Sequence, residues 1–346
     1  MNRISSLPEF QNSCLAKEFR NLPFGFVDVG ALGGIHPVVE PVASHTHAIC
    51  FEPDPAGAAA LRQKYGGKSS YAGVTILETA LGGPGSGREQ LYISKVPTNT
   101  SLLKPSEHFI RRYNARKFEV DRVVDIKTRT LDDVLAENPG IGPRPGELMK
   151  LDTQGSEFRI LKGAHNLLSE GCLGIWCEVE FFQVYENQET FTDLDGLLRD
   201  YGFSIYGLYP HYRSIKALDR RHFNTEERLM WADAVFIKDP LDSRNANRSF
   251  STRDLNALIL IALLTRFYDL GIEIIRHVYS EGPERTALES MVRGLAAVNG
   301  AMIQGEIEAL YKACSQDWGE ASILAAEFIS RHRSNNTIDH LLDRSR

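Results

Sequence analysis

The sequence lacks the features that mark secreted, membrane-spanning or zinc-binding proteins. Its five cysteines are scattered, and no pair of them has the spacing of a zinc site. The longest apolar run, residues 257–264, is far shorter than the roughly 20 residues that cross a bilayer. The N-terminus has no basic segment followed by an apolar one, so no secretory signal is predicted. We therefore expect a soluble, cytoplasmic protein with reduced thiols and no membrane span.

Charge, length and the absence of repeats narrow the class of protein further. The formal net charge of −6 argues against a general nucleic-acid binder, because such proteins present a surplus of positive charge. The 346 residues suffice for two domains, or for one large domain with an extension. No fixed-period repeat is present, which argues against a solenoid. The chain is therefore expected to form a globular core.

The stretch FGFVDVGALGG, residues 24–34, predicts a ligand-binding turn. A short apolar strand carries Asp28 and ends in Gly30, Gly33 and Gly34, after which residues 35–43 are expected to begin a helix. A strand that turns through glycines into a helix lets backbone amides approach a ligand closely. A carboxylate buried within the strand needs a partner. The alternative is a glycine-rich turn in which Asp28 is solvated.

Glu52 follows the next predicted strand, residues 46–51. Prolines end this strand, and Pro55 suits the first turn of a helix over residues 56–64. In dinucleotide-binding folds, an acid at this strand end accepts hydrogen bonds from ribose hydroxyls. A third strand over residues 74–77 continues the strand–helix alternation. This order predicts an α/β fold with a doubly wound, mostly parallel sheet.

A second informative stretch is ELMKLDTQGSEFRILKGA, residues 147–164. A predicted strand over residues 148–151 ends at Asp152, just before a glycine turn and a helix. Ligands of open parallel sheets bind beyond the carboxyl ends of the strands. Asp152 is therefore expected at the same edge as Gly30 and Glu52.

The later strands carry two further acids and suggest a mixed sheet. The predicted strand over residues 173–181 places Glu178 and Glu180 on one face, where each is either structural or directed at the site. Predicted strands over residues 203–208 and 231–237 have no obvious crossover helix between them. They are expected to form an antiparallel edge pair.

The remaining segments predict helices and an exposed basic cluster. Residues 7–22 have the pattern of one amphipathic helix that caps the core. The cluster RRYNARK, residues 111–117, is either a solvated face or a contact for an acidic substrate. The tail is expected to contain three helices, over residues 255–279, 284–312 and 318–332. The predicted division is an N-terminal cap (1–23), an α/β domain (24–240) and a C-terminal helical domain (251–346).

Four segments together resemble the FkbM-type S-adenosylmethionine-dependent methyltransferases. FVDVGALGG is similar to the family motif D-x-G-A-N-x-G, and CFEPDPAGAAAL is similar to its E-P-x-P segment. TRTLDDVL and KLDTQGSEFRILKGA resemble its T-L-D-D element and its K-x-D-x-E-G-x-E-x-x-x-L-x-G-A signature. The resemblance covers roughly residues 24–240. Leu32 replaces the usual Asn of the first motif, and Gln154 replaces the usual Glu of the last.

The resemblance implies a Rossmann-like core that binds S-adenosylmethionine and methylates a hydroxyl oxygen, often on a sugar or a polyketide-like compound. Asp28 is then placed to hold the glycine loop and the amino-acid part of the cofactor, Glu52 to bind the ribose, and the backbone at Thr79 and Ala80 to border the adenine. Asp152 is expected to be the general base that takes the acceptor proton, with Glu178 as second choice. The cofactor-binding residues expected are Asp28, Gly30, Ala31, Gly34, Glu52, Pro53, Thr79, Ala80 and Asp152.

Alternatives accompany this assignment. His36 is either a base or a helix-face residue, and Lys150 has no clear role. Asp152 and Glu178 either act on the proton or share a divalent cation with the acceptor hydroxyl. A dehydrogenase G-x-G-x-x-G fingerprint would need glycine in place of Leu32, which argues against an NAD-type oxidoreductase. A non-catalytic binding module is the third possibility. The expected partners are a small-molecule or glycan acceptor, no nucleic acid, and a second copy of the chain through the C-terminal helices.

Overall fold

The computed structural model describes residues 4–67, 69–85, 87–215, 217–218, 225–297 and 300–316, together with residues 321, 324, 325 and 328. The chain forms two compact units. The first comprises residues 1–208 and 231–296, and the second comprises residues 209–230 and 297–346. Helices over residues 252–296 belong to the first of these units, and the domain boundaries expected at residues 24, 240 and 251 stay a prediction.

Strands and helices are interspersed as far as the last strand, which ends at Ile237, and helices follow it. The strands are β1 Phe24–Val29, β2 Thr46–Phe51, β3 Gly73–Leu77, β4 Ala80–Leu81, β5 Arg88–Ser94, β6 Val120–Arg129, β7 Leu148–Leu151, β8 Gly174–Glu180, β9 Ser204–Arg213 and β10 Arg228–Ile237. The helices are α1 Pro8–Gln11, α2 Cys14–Asn21, α3 Pro55–Tyr65, α4 Glu107–Arg112, α5 Leu131–Glu137, α6 Glu157–Lys162, α7 Phe191–Asp200, α8 Thr252–Leu264, α9 Tyr268–Val278, α10 Pro283–Ala296 and α11 Gly300–Gln316.

The main sheet has seven strands in the order β3-β2-β1-β7-β8-β10-β9. The pairs β1–β2, β2–β3, β1–β7 and β7–β8 are parallel, whereas β10 runs antiparallel to β8. The order reverses direction between β1 and β7, which is the switch point where doubly wound sheets bind ligands. The expected Rossmann-like, mostly parallel sheet is confirmed, with the antiparallel strand one place in from the edge. A separate three-stranded sheet has the order β4-β6-β5.

The two faces of the sheet pack against different helices. On one face, Val27, Met149 and Ile175 belong to the main hydrophobic core together with residues of α5, α6 and α7. On the other face, Phe24 packs edge-to-face on Phe19 of α2, and Ile261 of α8 lies against Gly174. Both faces are therefore covered, as the near-continuous apolar runs of the parallel strands require.

Three predicted helices are interrupted in the structure. The helix predicted over residues 7–22 is wrong, because Ser13 accepts a hydrogen bond from the amide of Ala16 and starts a new helix. The helix predicted over residues 255–279 is also wrong, because Arg266 has a φ of +67° and separates α8 from α9. Residues 284–312 fall into α10 and α11 rather than one helix.

Two further helix predictions have different outcomes. The segment after the glycine turn is a 3₁₀ helix, Pro37–His45, with Pro41 inside it, rather than a regular helix from residue 35. The helix predicted over residues 318–332 falls largely outside the described residues. No helix in the part of the chain that the structure describes has the length and apolar character needed to cross a membrane.

A buried ion pair at the amino end of the strands joins α8 to the sheet. Glu147 is 0 % exposed and accepts hydrogen bonds from Arg253 Nε at 2.7 Å and Nη2 at 2.6 Å. The same carboxylate accepts from the amide of Gly25 at 3.0 Å. Arg253 Nη1 also donates to the carbonyl of Leu22 at 2.8 Å, and its guanidinium lies over the ring of Phe19. Every polar group of this pair therefore has a partner.

Candidate active site

The glycine turn after β1 is held against two neighbouring strands. The amides of Gly30 and Ala31 both donate to the carbonyl of Phe51, at 3.2 Å each. Gly30 has a φ of +80°, and a Cβ at this position would lie 2.1 Å from the carbonyl oxygen of Asp152. Only glycine fits this approach. Gly30, Ala31 and Asp152 thus lie together at the carboxyl edge of the sheet, as the sequence predicts.

Asp28 is buried beside Lys150, its direct neighbour in the β1–β7 register. The Lys150 ammonium lies 3.6 Å from Asp28 Oδ1 and donates to the carbonyl of Gly30 at 3.2 Å. Asp28 Oδ2 accepts from the amide of His36 at 2.7 Å, which fixes the far end of the glycine turn. Burial raises the pKa of Asp28, and Lys150 opposes that rise. Asp28 Oδ1 makes no hydrogen bond within the described residues.

Glu52 lies at the end of β2, and its side chain is fixed by the turn that follows. The side chain is buried, and Oε1 accepts from the amide of Asp54 at 2.9 Å. Asp54 in turn caps α3 by accepting from the amide of Gly57 at 2.8 Å. Pro53 stands between the two acids. Burial raises the pKa of Glu52. A ligand that donates a hydrogen bond to this carboxylate favours its charged form and opposes that rise.

Thr79 and Ala80 lie where β3 gives way to the smaller sheet. Thr79 is half-buried between the two strands, and Ala80 is buried and begins β4. The amide of Glu52 donates to the carbonyl of Leu77 at 3.1 Å, which places this turn beside Glu52. The turn is thus at the expected edge, and its contact with an adenine ring stays a prediction.

Asp152 and Glu178 are brought together by a side chain that lies between them. Gln154 Nε2 donates to Asp152 Oδ1 at 3.0 Å and to Glu178 Oε1 at 3.2 Å. Gln154 Oε1 accepts from the hydroxyl of Tyr185 at 3.1 Å, which fixes the direction of the amide group. Asp152 is 47 % exposed, with Oδ2 3.8 Å from the Lys150 ammonium. The structure therefore forms one polar row at the expected edge.

Glu178 and Glu180 share a face of β8, and both are crowded by other acids. Burial raises the pKa of Glu178 well above its ordinary value, and Glu180 and Asp152 add to that rise. Burial and Glu157 raise the pKa of Glu180 in the same way. A proton shared within this cluster relieves the repulsion between the carboxylates. Glu178 is therefore suited to hold a proton, and Asp152 to remain the solvated member.

The turn after β7 is capped by Glu157 rather than by Asp152. Glu157 Oε1 accepts from the amide of Thr153 at 2.6 Å, and Oε2 accepts from the amide of Gly155 at 2.9 Å. The Asp152 side chain makes neither contact and accepts from Gln154 instead. The Asp152 side chain therefore does not cap the turn that follows it.

His36 is positioned by packing and capping. Its ring lies against that of Trp176, with centroids 5.4 Å apart. Nδ1 accepts from the amide of Val38 at 3.4 Å at the start of the 3₁₀ helix. Burial, and then Lys150, lower the pKa of His36 to about 4. A neutral ring whose Nδ1 is an acceptor carries its proton on Nε2, so His36 is a poor base for a hydroxyl at neutral pH.

The structure adds one observation on the basic cluster and one on the metal alternative. Arg111 and Arg112 are exposed, whereas Tyr113 is buried against Phe109 with ring centroids 5.5 Å apart. Exposure fits both a solvated face and a contact for an acidic substrate, so this pair of alternatives stays open. Among the described residues, no group of three or more His, Cys, Asp or Glu side chains is placed to hold a metal ion.

Comparison with known proteins agrees with this geometry. A model of the FkbM methyltransferase domain matches residues 28–205, just over half of the chain and most of the polar edge described above. The chain belongs to the FkbM methyltransferase family.

Individual FkbM and other methyltransferases are distant relatives. The methyltransferase sdnD of Sordaria araneosa is 24 % identical over 205 residues, which cover 54 % of this chain and 77 % of that protein. A solved FkbM methyltransferase from Methylobacillus flagellatus is 18 % identical with a TM-score of 0.35, over 62 % of this chain and 43 % of that one. The chain therefore spans less than half of that solved protein. The magnesium protoporphyrin IX methyltransferase of Synechocystis, solved with bound SAM, is 12 % identical with a TM-score of 0.30, over 64 % and 74 % of the two chains.

The two departures from the FkbM motifs have different consequences in this methyltransferase. Leu32 is 48 % exposed in the glycine turn, so the change from the usual residue leaves the backbone of the turn intact. Gln154 stands in the left-handed region, with a φ of +58°, and links both candidate catalytic acids. A glutamate at this position has no N–H to donate to them. Gln154 therefore supplies two hydrogen bonds that an ionised glutamate at this position would not supply.

Sequence reasoning missed two further residues of this site. Lys150 contacts Asp28, Gly30 and Asp152, and the signal for it was available, because Lys150 and Asp152 lie two residues apart on one strand face. Tyr185 gave no signal, since its contact with Gln154 comes from a loop 31 residues further along the chain.

Proposed function

We propose that this FkbM methyltransferase uses S-adenosylmethionine to methylate a hydroxyl oxygen of a small-molecule or glycan acceptor. The observation that carries the proposal is the polar row at the carboxyl edge, where Asp152 is about half exposed and linked through Gln154 to the protonatable Glu178. This row lies beside the glycine turn at the switch point of the sheet, where ligands of doubly wound folds bind.

The residues at the edge fit S-adenosylmethionine. Asp28 Oδ1 is a buried acceptor without a hydrogen bond, and the ammonium group of the cofactor is a donor of the required charge. Glu52 Oε1 accepts from the Asp54 amide, and Oε2 is the oxygen that we propose for the ribose hydroxyls. Several acids nearby favour a cationic ligand. When bound, the cofactor supplies a methyl group that its sulfonium already activates.

The chain itself positions the acceptor and removes a proton. In the proposed reaction the acceptor oxygen forms a bond to the methyl carbon as the carbon–sulfur bond breaks. The hydroxyl proton passes to the Asp152 carboxylate, and the products are a methyl ether and S-adenosylhomocysteine. Lys150 and Gln154 hold Asp152 in place, and Glu178, whose pKa is raised by burial, keeps its proton and adds no second charge.

The Asp152→Asn variant tests this proposal. Asparagine keeps the shape and one oxygen but removes the base, so turnover should fall about 10²–10⁴-fold while S-adenosylhomocysteine affinity stays within about threefold. Turnover is measured in single-turnover assays of labelled methyl transfer, with an acceptor identified by screening hydroxylated compounds. Asp121→Asn, on the exposed strand β6, is the matched control.

Two results would contradict the proposal. A variant rate within about threefold of the parent would remove Asp152 as the base and direct attention to Glu178. Binding of NAD in place of S-adenosylhomocysteine in titration calorimetry would reject the cofactor assignment. Homodimerisation through the C-terminal helices stays a prediction, which light scattering of the full chain tests.

A further inference from the structure

A groove of about 640 Å³ opens directly after β8, beside the polar row. Phe181 and Phe182 follow the last residue of this strand and line the groove, and Tyr185 forms part of it. The Tyr185 hydroxyl donates to Gln154, whose amide contacts Asp152 and Glu178. This volume lies within the range of small-molecule pockets, roughly 300–1,000 Å³. The groove is therefore connected through one side chain to both candidate catalytic acids.

The aromatic wall of the groove is held in place by rings behind it. The centroid of the Phe182 ring lies 6.0 Å from that of Tyr113 and 6.4 Å from that of Phe109, and both of these rings are buried. The Phe181 ring lies 5.2 Å from that of Phe191. Rings fixed in this way offer a flat apolar surface on which another ring stacks at little entropic cost.

The rest of the lining is polar but carries little charge. Hydroxyl and amide side chains line the groove at Ser106, Gln183 and Thr190. The lining also includes the exposed imidazole of His108, and no Lys or Arg is among its described residues. The carboxylate of Glu186 pairs with the Lys104 ammonium at 2.8 Å. Phosphate and carboxylate groups are usually recognised by arginine or lysine. The lining therefore suits uncharged hydroxyl groups.

We propose that this groove binds the methyl acceptor, and that the acceptor is an uncharged small molecule in which an aromatic ring is joined to a hydroxylated part, as in an aryl glycoside. The ring packs on Phe181 and Phe182, and the hydroxyl groups reach the amide and hydroxyl side chains. The buried Tyr185, whose hydroxyl donates to Gln154, links this bound position to Asp152. The inference rests on the proposed function for the methylation itself, but binding in the groove is measurable without turnover.

Three probes test the class of ligand on the full chain in the presence of S-adenosylhomocysteine. Phenyl β-glucoside has both parts, methyl β-glucoside lacks the aromatic ring, and phenyl β-glucuronide adds a negative charge. Saturation-transfer NMR and calorimetry should show the phenyl glucoside binding about tenfold more tightly than either of the others. Equal binding of the glucuronide, or no binding of the phenyl glucoside, would overturn the proposed class.

Variants test the location of the ligand. Phe182→Ala should weaken phenyl glucoside binding about tenfold. Gln183→Ala, a change at an exposed residue, should weaken it about threefold, and it provides the test if Phe182→Ala fails to fold. Arg112→Ala, an exposed change on α4 outside the groove lining, is the control. Unchanged binding in both groove variants would overturn the location. If the parent chain does not bind S-adenosylhomocysteine, the proposed function is rejected. The result for ligand binding in the groove remains valid in that case.

Discussion

The two ends of the central strands bury carboxylates in opposite ways. At the amino end, Glu147 is enclosed by two guanidinium donors of Arg253 and the amide of Gly25. At the carboxyl end, Asp28 is equally buried, yet Oδ1 lies 3.6 Å from the Lys150 ammonium and has no hydrogen-bond partner within the described residues. A buried acceptor without a hydrogen bond lowers the free energy of unfolding, so its presence is not explained by folding.

This difference indicates that the amino end of the strands has a structural role and that the carboxyl end has a binding role. A fully paired buried charge specifies one packing arrangement and resists change. A buried acid without a full set of partners, such as Asp28, destabilises the free protein, and a cationic ligand that binds beside it compensates that cost. Functional sites commonly keep such local conflicts because the ligand resolves them. The contrast predicts that mutations at the amino end reduce stability and that mutations at the carboxyl end reduce binding.

The largest expected effect is on stability, from Arg253→Met. Methionine fills part of the space but leaves Glu147 buried without its counter-charge, which typically costs about 3–5 kcal/mol of unfolding free energy. Denaturant titration of the full chain measures this change. Lys104→Met, which breaks the exposed pair with Glu186, is the control and should cost about 0–1 kcal/mol.

A second change checks the reason for that loss. Adding Glu147→Leu to Arg253→Met removes the unpaired charge, so much of the lost stability should return. If the double variant is no more stable than Arg253→Met, the loss arises from packing around Phe19 rather than from the buried charge.

An intermediate effect is expected on binding, from Glu52→Ala at the carboxyl end. The lost carboxylate removes the acceptor proposed for ribose hydroxyls, and hydrogen bonds to charged groups are worth about 1.5–3 kcal/mol each. S-adenosylhomocysteine affinity should therefore fall tenfold or more in calorimetry. Exposed Glu78, which pairs with Arg62, provides the control variant Glu78→Ala. Unchanged affinity in Glu52→Ala would place the ribose elsewhere.

The smallest effect is a change in pH dependence, from His36→Asn. The folded-state pKa of His36 is lowered to about 4, so the unfolded chain binds the proton more tightly and stability is lost as pH falls from about 6.5 toward 4. Between about pH 7.5 and 5.5 this contribution amounts to about 1 kcal/mol of unfolding free energy. Asparagine keeps an acceptor for the Val38 amide but does not titrate.

The measured quantity is the slope of the unfolding free energy against pH, compared between parent and variant. The comparison is needed because other buried titratable groups act in both proteins. Acids with raised folded-state pKa values, such as Glu178, are present in the two proteins and cancel in the comparison. Parallel stability curves across this pH range would show that His36 is not the group responsible.

Much of the fold was predictable from local pattern. Strand β7, Leu148–Leu151, has the bounds that the sequence predicts, because a short apolar run defines it locally. The breaks within the predicted helices were not predictable in the same way. The αL conformation of Arg266 is one that a non-glycine side chain rarely adopts, and only the packing of α8 against α9 accounts for it.

The sequence by itself determined the positions of the glycine turn, Glu52 and Asp152, because each follows an apolar strand and parallel strands end at one edge. The tertiary structure alone decided how the acids are paired. Gln154 bridges Asp152 and Glu178 because its backbone adopts a positive φ, and Tyr185 arrives from a separate loop to orient it. Arg253 meets Glu147 across 106 residues of sequence. Such contacts depend on the distance between side chains in space, and no local pattern of residues encodes that distance.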